Sequence, residues 1–143
     1  MLCDRHSPGK RRSIDHIVIA KSAVWVIKCR SRHGSLERRD VGGWFRRDER
    51  LYVNGRDETH MIEAMSRQVM VVRRALGPLT PRVRPVLCFA HAERSGSSGP
   101  FELDGVLVTR PRALVEQILV TPASGIDIAR VESRLSSGLP ATH

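Results

Sequence analysis

Two short stretches hold the residues whose types and spacing could do chemistry. Asp15 lies in Ile14-Asp15-His16-Ile17, and Lys28 and Arg30 close the run Val24-Trp25-Val26-Ile27-Lys28-Cys29-Arg30. Both runs are rich in β-branched residues and too short for an ordinary helix, which predicts paired strands. Successive residues of a strand point to opposite faces. Asp15 therefore shares a face with Ile17 and Ile19, and Lys28 and Arg30 share one with Val24 and Val26. Trp25, Ile27 and Cys29 take the other side, and His16 points opposite to Asp15. An acid on one strand and two cations at the end of the next are costly to bury without a use for them. The guanidinium of Arg30 is suited to gripping a phosphate in a bidentate manner.

These stretches resemble the core of the NERD (nuclease-related) domain family, a branch of the PD-(D/E)XK nuclease-like superfamily. The resemblance spans roughly residues 1 to 120. In that family the Asp of the I-D-H-I strand, here Asp15, is a metal ligand. The next strand ends in an acid, a small residue and a Lys. Two carboxylates hold Mg²⁺ or Mn²⁺, the ion activates water, and the Lys stabilises charge developing on the phosphate. Here the matching residues read Lys28-Cys29-Arg30. Lys28 takes the place of the second acid, and an ammonium cannot ligate an ion that requires oxygen donors. Gln68 is similar in placement to a Gln that such nucleases carry on the helix flanking the catalytic centre. The resemblance implies a catalytic set of Asp15, Lys28, Arg30 and Gln68, with Asp15 as metal ligand. It also implies an α/β fold, a restriction-endonuclease-like mixed central sheet flanked by helices. The superfamily core begins with a helix bearing a further acid, whereas this sequence opens on the first strand, so that helix is expected to be missing.

Other elements must position these residues. Leu2 to His6 reads as an edge strand, closed by Pro8-Gly9. Gly42-Gly43 and Asn54-Gly55 bracket an Arg-rich stretch that predicts a protruding hairpin, with strands near 43–47 and 50–54. Asp57 to Leu76 is the clearest helix, with Asp57 as N-cap and Gly77-Pro78 as its end. Met61, Ile62, Met65, Val69, Val72 and Leu76 form its apolar stripe, and Gln68 lies at the edge of that stripe. Arg84 to Ala92 is a nearly continuous apolar strand, the pattern of a sheet covered on both faces. Val106 to Val108 is a further strand, and Pro111 opens a helix to about Leu119. Ser124-x-x-Asp127 resembles a capping box before a last helix carrying Ile128, Val131 and Leu135, with Ser136 to His143 expected to fray. The division is residues 1–120 as the nuclease-like domain and 121–143 as a C-terminal helix and frayed tail.

Composition narrows the partners. The 143 residues suffice for one domain with a real core. A formal net charge of +9 favours polyanions such as nucleic acid, DNA first among them. Lys10, Arg11 and Arg12 precede the Asp15 strand, and Arg46 and Arg47 flank the hairpin aromatics Trp44, Phe45 and Tyr52; these five cations are candidate phosphate contacts. Genomic base composition alone can also enrich Arg. Cys3, Cys29 and Cys88 form no C-x-x-C, which argues for a reducing compartment and against a disulfide framework or zinc site. Cys29 is expected to be a small buried hydrophobe. The N-terminus lacks a signal-peptide core and no apolar run is long enough to span a membrane, so the cytoplasm is expected. The Gly/Ser loop at 95–100 lacks a G-x-S-x-G elbow, so a serine hydrolase is unsupported. Three functions fit: a degenerate nuclease that binds nucleic acid without efficient cleavage, a weak Mg²⁺- or Mn²⁺-dependent nuclease, or a non-catalytic protein-interaction module.

Overall fold

The strand carrying Lys28 and Arg30 is the spine of the molecule. The computed structural model describes the backbone of residues 2–6, 13–44, 48–93 and 100–139, and the side chains within them outside 2–6, 13–15, 32–34 and 91–93. The strands are β1 (Leu2–His6), β2 (Ser13–Ile19), β3 (Val24–Asp40), β4 (Glu49–Val53), β5 (Arg56–Asp57), β6 (Val83–Glu93), β7 (Phe101–Leu103) and β8 (Val106–Thr109). The helices are α1 (His60–Leu76), α2 (Pro111–Val120) and α3 (Ile128–Gly138). The sheet runs β1-β2-β3-β6-β8-β7. β1, β2 and β3 are antiparallel neighbours, β3, β6 and β8 run parallel, and β7 returns antiparallel on β8. This is a mixed central sheet flanked by helices, as the restriction-endonuclease-like fold requires. Among the described residues no helix is long and apolar enough to cross a membrane.

Strand alternation sorts the core into two layers. Ile17, Val24, Val26, Leu87 and Phe89 face α1 and α3, joining Met61, Ile62, Met65, Val131 and Leu135. Trp25, Ile27, Val86, Cys88 and Leu107 face the other way and pack with Leu114 of α2. Each large side chain buried in this way, such as Met65 or Phe89, contributes about 1.5–3 kcal/mol. The one polar atom of Trp25 is satisfied, its Nε1 donating to Ser22 Oγ at 3.2 Å.

Several local expectations change. The hairpin pairs residues 36–40 of β3 with β4, not strands at 43–47 and 50–54. Gly42, Gly43 and Trp44 belong to the connection, and Asn54-Gly55 turns β4 into β5, both residues at positive φ (50° and 79°). β3 is thus one long strand, with a register shift between Arg30 and His33 in its pairing with β6, which resumes to Ser35 before the ribbon pairing with β4 begins at Leu36. Asp57 does not cap α1. It lies in β5 and accepts hydrogen bonds from the N–H and hydroxyl of Thr59, the residue at the N-cap position. In α3 the cap is Asp127 itself, accepting from the Arg130 N–H at 3.2 Å, while Ser124 bonds the carbonyls of Lys21 and Ser22. α3 continues to Gly138, and Leu139 is fully buried, because Gly138 lets α3 lie directly against Ala75 of α1. The helix therefore extends past Ser136, and residues 140–143 lie outside the described residues.

Candidate nucleic-acid pocket

The apolar face of β3 ends at Val26, and the next two residues on that face are Lys28 and Arg30. The N-terminal half of α1 crosses above this point. The result is a cavity of about 400 Å³ whose floor is Lys28 and Arg30 of β3 and Leu87 of β6. His60, Met61, Ala64 and Gln68, spaced to share one side of α1, form its roof. The register pairs Lys28 with Leu87 and Arg30 with Phe89, so the cavity lies over the middle of the parallel β3–β6 pair. The first turn of α1 also brings the positive end of a helix dipole to the cavity.

Gln68 is the most informative wall residue. It is 8% exposed, and its Oε1 is buried with no hydrogen-bond partner among the described atoms. A buried amide carbonyl without a donor is expensive, and such atoms mark sites completed by water or ligand. The residue expected at the edge of the apolar stripe therefore lies inside it, offering an acceptor beside two cations.

Asp15 lies on β2, which pairs antiparallel with β3 through His16↔Ile27 and Ile17↔Val26. One further step of this register sets the Asp15 backbone opposite Lys28. The Asp15 side chain lies outside the described residues, as do Lys10, Arg11, Arg12, Arg46 and Arg47. Among the described residues, no three of His, Cys, Asp and Glu cluster in a way that could hold a metal ion.

Sequence reasoning missed one pair at the cavity. Glu58 is only 8% exposed, and its Oε2 lies 3.4 Å from His60 Nε2, whose ring is 70% exposed at the roof. The signal was faint: an acid and a His two residues apart at a helix start. What buries Glu58 is β4, since the Glu58 N–H donates to the Leu51 carbonyl.

The ribbon is less basic in effect than its composition. Arg50 bridges Asp48 and Asp57, both at 3.1 Å, and these carboxylates raise its pKa. Arg39 pairs with Glu37 and covers the Tyr52 ring at 4.4 Å. Tyr52 is therefore engaged within the ribbon, whereas Trp44 is fully exposed.

The family model for the nuclease-related domain matches residues 2–90, which include β1, β2, β3, α1 and most of β6. The chain belongs to the NERD family. No curated protein and no solved structure matches it. The NERD match covers every described wall of the cavity, from Lys28 to Leu87. The match points to a nuclease-related function, and no metal site is shown among the described residues.

Proposed function

We propose that this NERD domain binds nucleic acid, DNA in the first instance, and holds a backbone phosphate between Lys28 and Arg30 without cleaving it efficiently. The observation that carries this reading is the cavity itself: two cations and an orphaned buried amide carbonyl where the nuclease pattern has an acid and a Lys. Arg30 can fork onto two phosphate oxygens, and Lys28 supplies a point charge beside it. The Gln68 carbonyl would accept from a sugar hydroxyl or base amino group next to that phosphate. Lys10, Arg11, Arg12, Arg46 and Arg47 would extend the contact along the strand, in keeping with the +9 net charge. The cytoplasm is the compartment this reading assumes.

Among the described residues the donor set does not fit a divalent ion. Mg²⁺ and Mn²⁺ need several oxygen ligands, and the described walls offer one amide oxygen, an imidazole and two cations. An ion beside Lys28 would meet repulsion on the order of a few kcal/mol even at the screening typical of protein surfaces. Asp15, opposite Lys28 in register, is better matched to pairing with that ammonium than to recruiting a metal.

The test combines calorimetry with Mn²⁺ and a nuclease assay on several DNA forms, for this chain and for a Lys28→Asp, Arg30→Lys variant. DNA binding by the unaltered chain without turnover, with metal binding gained only in the double variant, is the expected result. Cleavage by the unaltered chain that Asp15→Ala abolishes would overturn it in favour of an active nuclease. Absence of DNA binding at low salt would leave the protein-interaction reading.

A further inference from the structure

The two described cysteines are direct partners in the parallel ladder of β3 and β6. Cys29 is paired in register with Cys88, and a thiol–thiol hydrogen bond joins their side chains. Their environments differ sharply. Cys88 is 2% exposed within the layer under α2, whereas Cys29 is exposed, contrary to the burial expected from its strand face. The reason is that the described apolar packing on this face of β3 includes Trp25 and Ile27 and stops short of Cys29. One thiol of the pair is therefore open to solvent and the other waits behind it.

We infer that Cys29 and Cys88 form an oxidisable dithiol, a modification site in which peroxide attacks Cys29 and Cys88 resolves the product to a disulfide. In the first step the Cys29 thiolate displaces water from hydrogen peroxide, a proton being taken up, and becomes a sulfenic acid. In the second, the Cys88 sulfur attacks the Cys29 sulfur. The S–S bond forms, the S–O bond breaks, and the departing hydroxide leaves as water with the Cys88 proton. Two thiols and one peroxide thus give one disulfide and two waters. The order of events follows from access: Cys29 is open to solvent and Cys88 is buried, and burial, then the neighbouring Cys29, push the Cys88 thiol up to about 12.

The geometry is permissive. Neighbouring strands lie about 4.8 Å apart, inside the Cα separation of about 4.4–6.8 Å that disulfides span. The two side chains leave the sheet side by side, so closure needs the strands to draw in by about 1 Å at the Cβ atoms. Cys29 is flanked by Lys28 and Arg30, and Cys88 follows Leu87, all of which line the cavity on the opposite face of the sheet. Closing the bond would therefore move the floor of that cavity.

The experiment uses the full chain with Cys3→Ser, leaving two thiols. The folded protein is treated with hydrogen peroxide, denatured, alkylated with N-ethylmaleimide without reduction, and weighed. The expected product is a monomer lighter by about 2 Da that takes up no reagent. Dithiothreitol should restore two alkylatable thiols, and peptide mapping should find Cys29 linked to Cys88. Adding Cys88→Ser should stop the reaction at oxygen adducts on Cys29. Conversion of Cys29 to sulfinic acid, a gain of about 32 Da, with Cys88 still alkylatable, would overturn the inference. So would two thiols that survive treatment, or a bond joining two chains. None of these outcomes depends on nucleic-acid binding.

Discussion

Gln68→Met should make the protein more stable. Gln68 is buried on α1, and its Oε1 has lost water without gaining a donor among the described atoms. An acceptor left in that state costs about 1–3 kcal/mol. Met has nearly the same length, fills the same volume, is a good helix former and brings no acceptor. The expected gain is about 1.5 kcal/mol, in the lower half of that range, or roughly 5 °C in Tm for a chain of this size. Urea unfolding followed by the Trp25 signal measures it, with the midpoint moving up at unchanged slope. Because the same carbonyl is read as a ligand contact, the variant should also bind DNA less tightly. Function would then be held at the expense of stability, as at many binding sites. Equal or lower stability of the variant would refute the reasoning, because it would mean that Oε1 is already satisfied, by an ordered water.

Three further outcomes are expected. Lys28→Gln with Arg30→Gln should lower the slope of log affinity against log salt by about 1.8 for duplex DNA, roughly a 12-fold change in the affinity lost between 50 and 200 mM salt; anisotropy titrations across that range check it. Gly138→Ala should destabilise although Ala is the better helix former by about 1 kcal/mol, because the new Cβ would lie 2.9 Å from Ala75 Cβ and 3.2 Å from its Cα, and unfolding of the single variant decides the sign. Asp57 is held down to about 2, first by hydrogen bonds from Thr59 and then by Arg50. A carboxyl depressed in the folded state adds stability above its ordinary value near 3.8, and that stability is lost as pH falls toward about 2. Thr59→Val should raise the Asp57 titration midpoint, read by carboxyl NMR, and flatten the acid limb of the stability curve over that window.

Elements governed by one buried face were legible in the sequence. β2, the inner half of β3, β6 and α1 each carry an apolar period matched to their geometry. That period sets Lys28 and Arg30 on one strand face and Gln68 at the edge of the helix stripe, while the expectation that they converge comes from the family resemblance. The outer half of β3 gives no such signal. Ser31 to Asp40 shows no apolar alternation, and its outer part, a two-stranded ribbon open to water from Leu36 on, needs none; in that paired part Leu36 is the buried residue of β3. β7 is three residues long and gains its place by pairing with β8, its turn made by Asp104-Gly105 at positive φ. Glu58, His60 and the Cys29–Cys88 pair depend on which distant strand lies alongside, a property of register and not of local pattern. The exposure of Cys29 escapes the pattern for a related reason: strand parity fixes its face but not how far the opposing helix reaches.

The contents of the cavity also constrain what can occupy it. A bare divalent cation would be opposed by Lys28, by Arg30 and by the positive end of α1, with one amide oxygen and one imidazole in return among the described residues. A bare inorganic anion would satisfy the cations and leave the Gln68 carbonyl unpaired, forgoing the roughly 1–3 kcal/mol that pairing recovers. A ligand carrying both an anionic oxygen and a nearby N–H or O–H donor answers all of these groups together. A nucleic-acid strand has that composition at every nucleotide, with phosphate beside base amino groups and, in RNA, a 2′-hydroxyl. Gln68 should therefore matter more for a nucleotide than for inorganic phosphate. If Gln68→Met weakened both equally, the carbonyl would have no part in recognition and the two cations alone would account for binding.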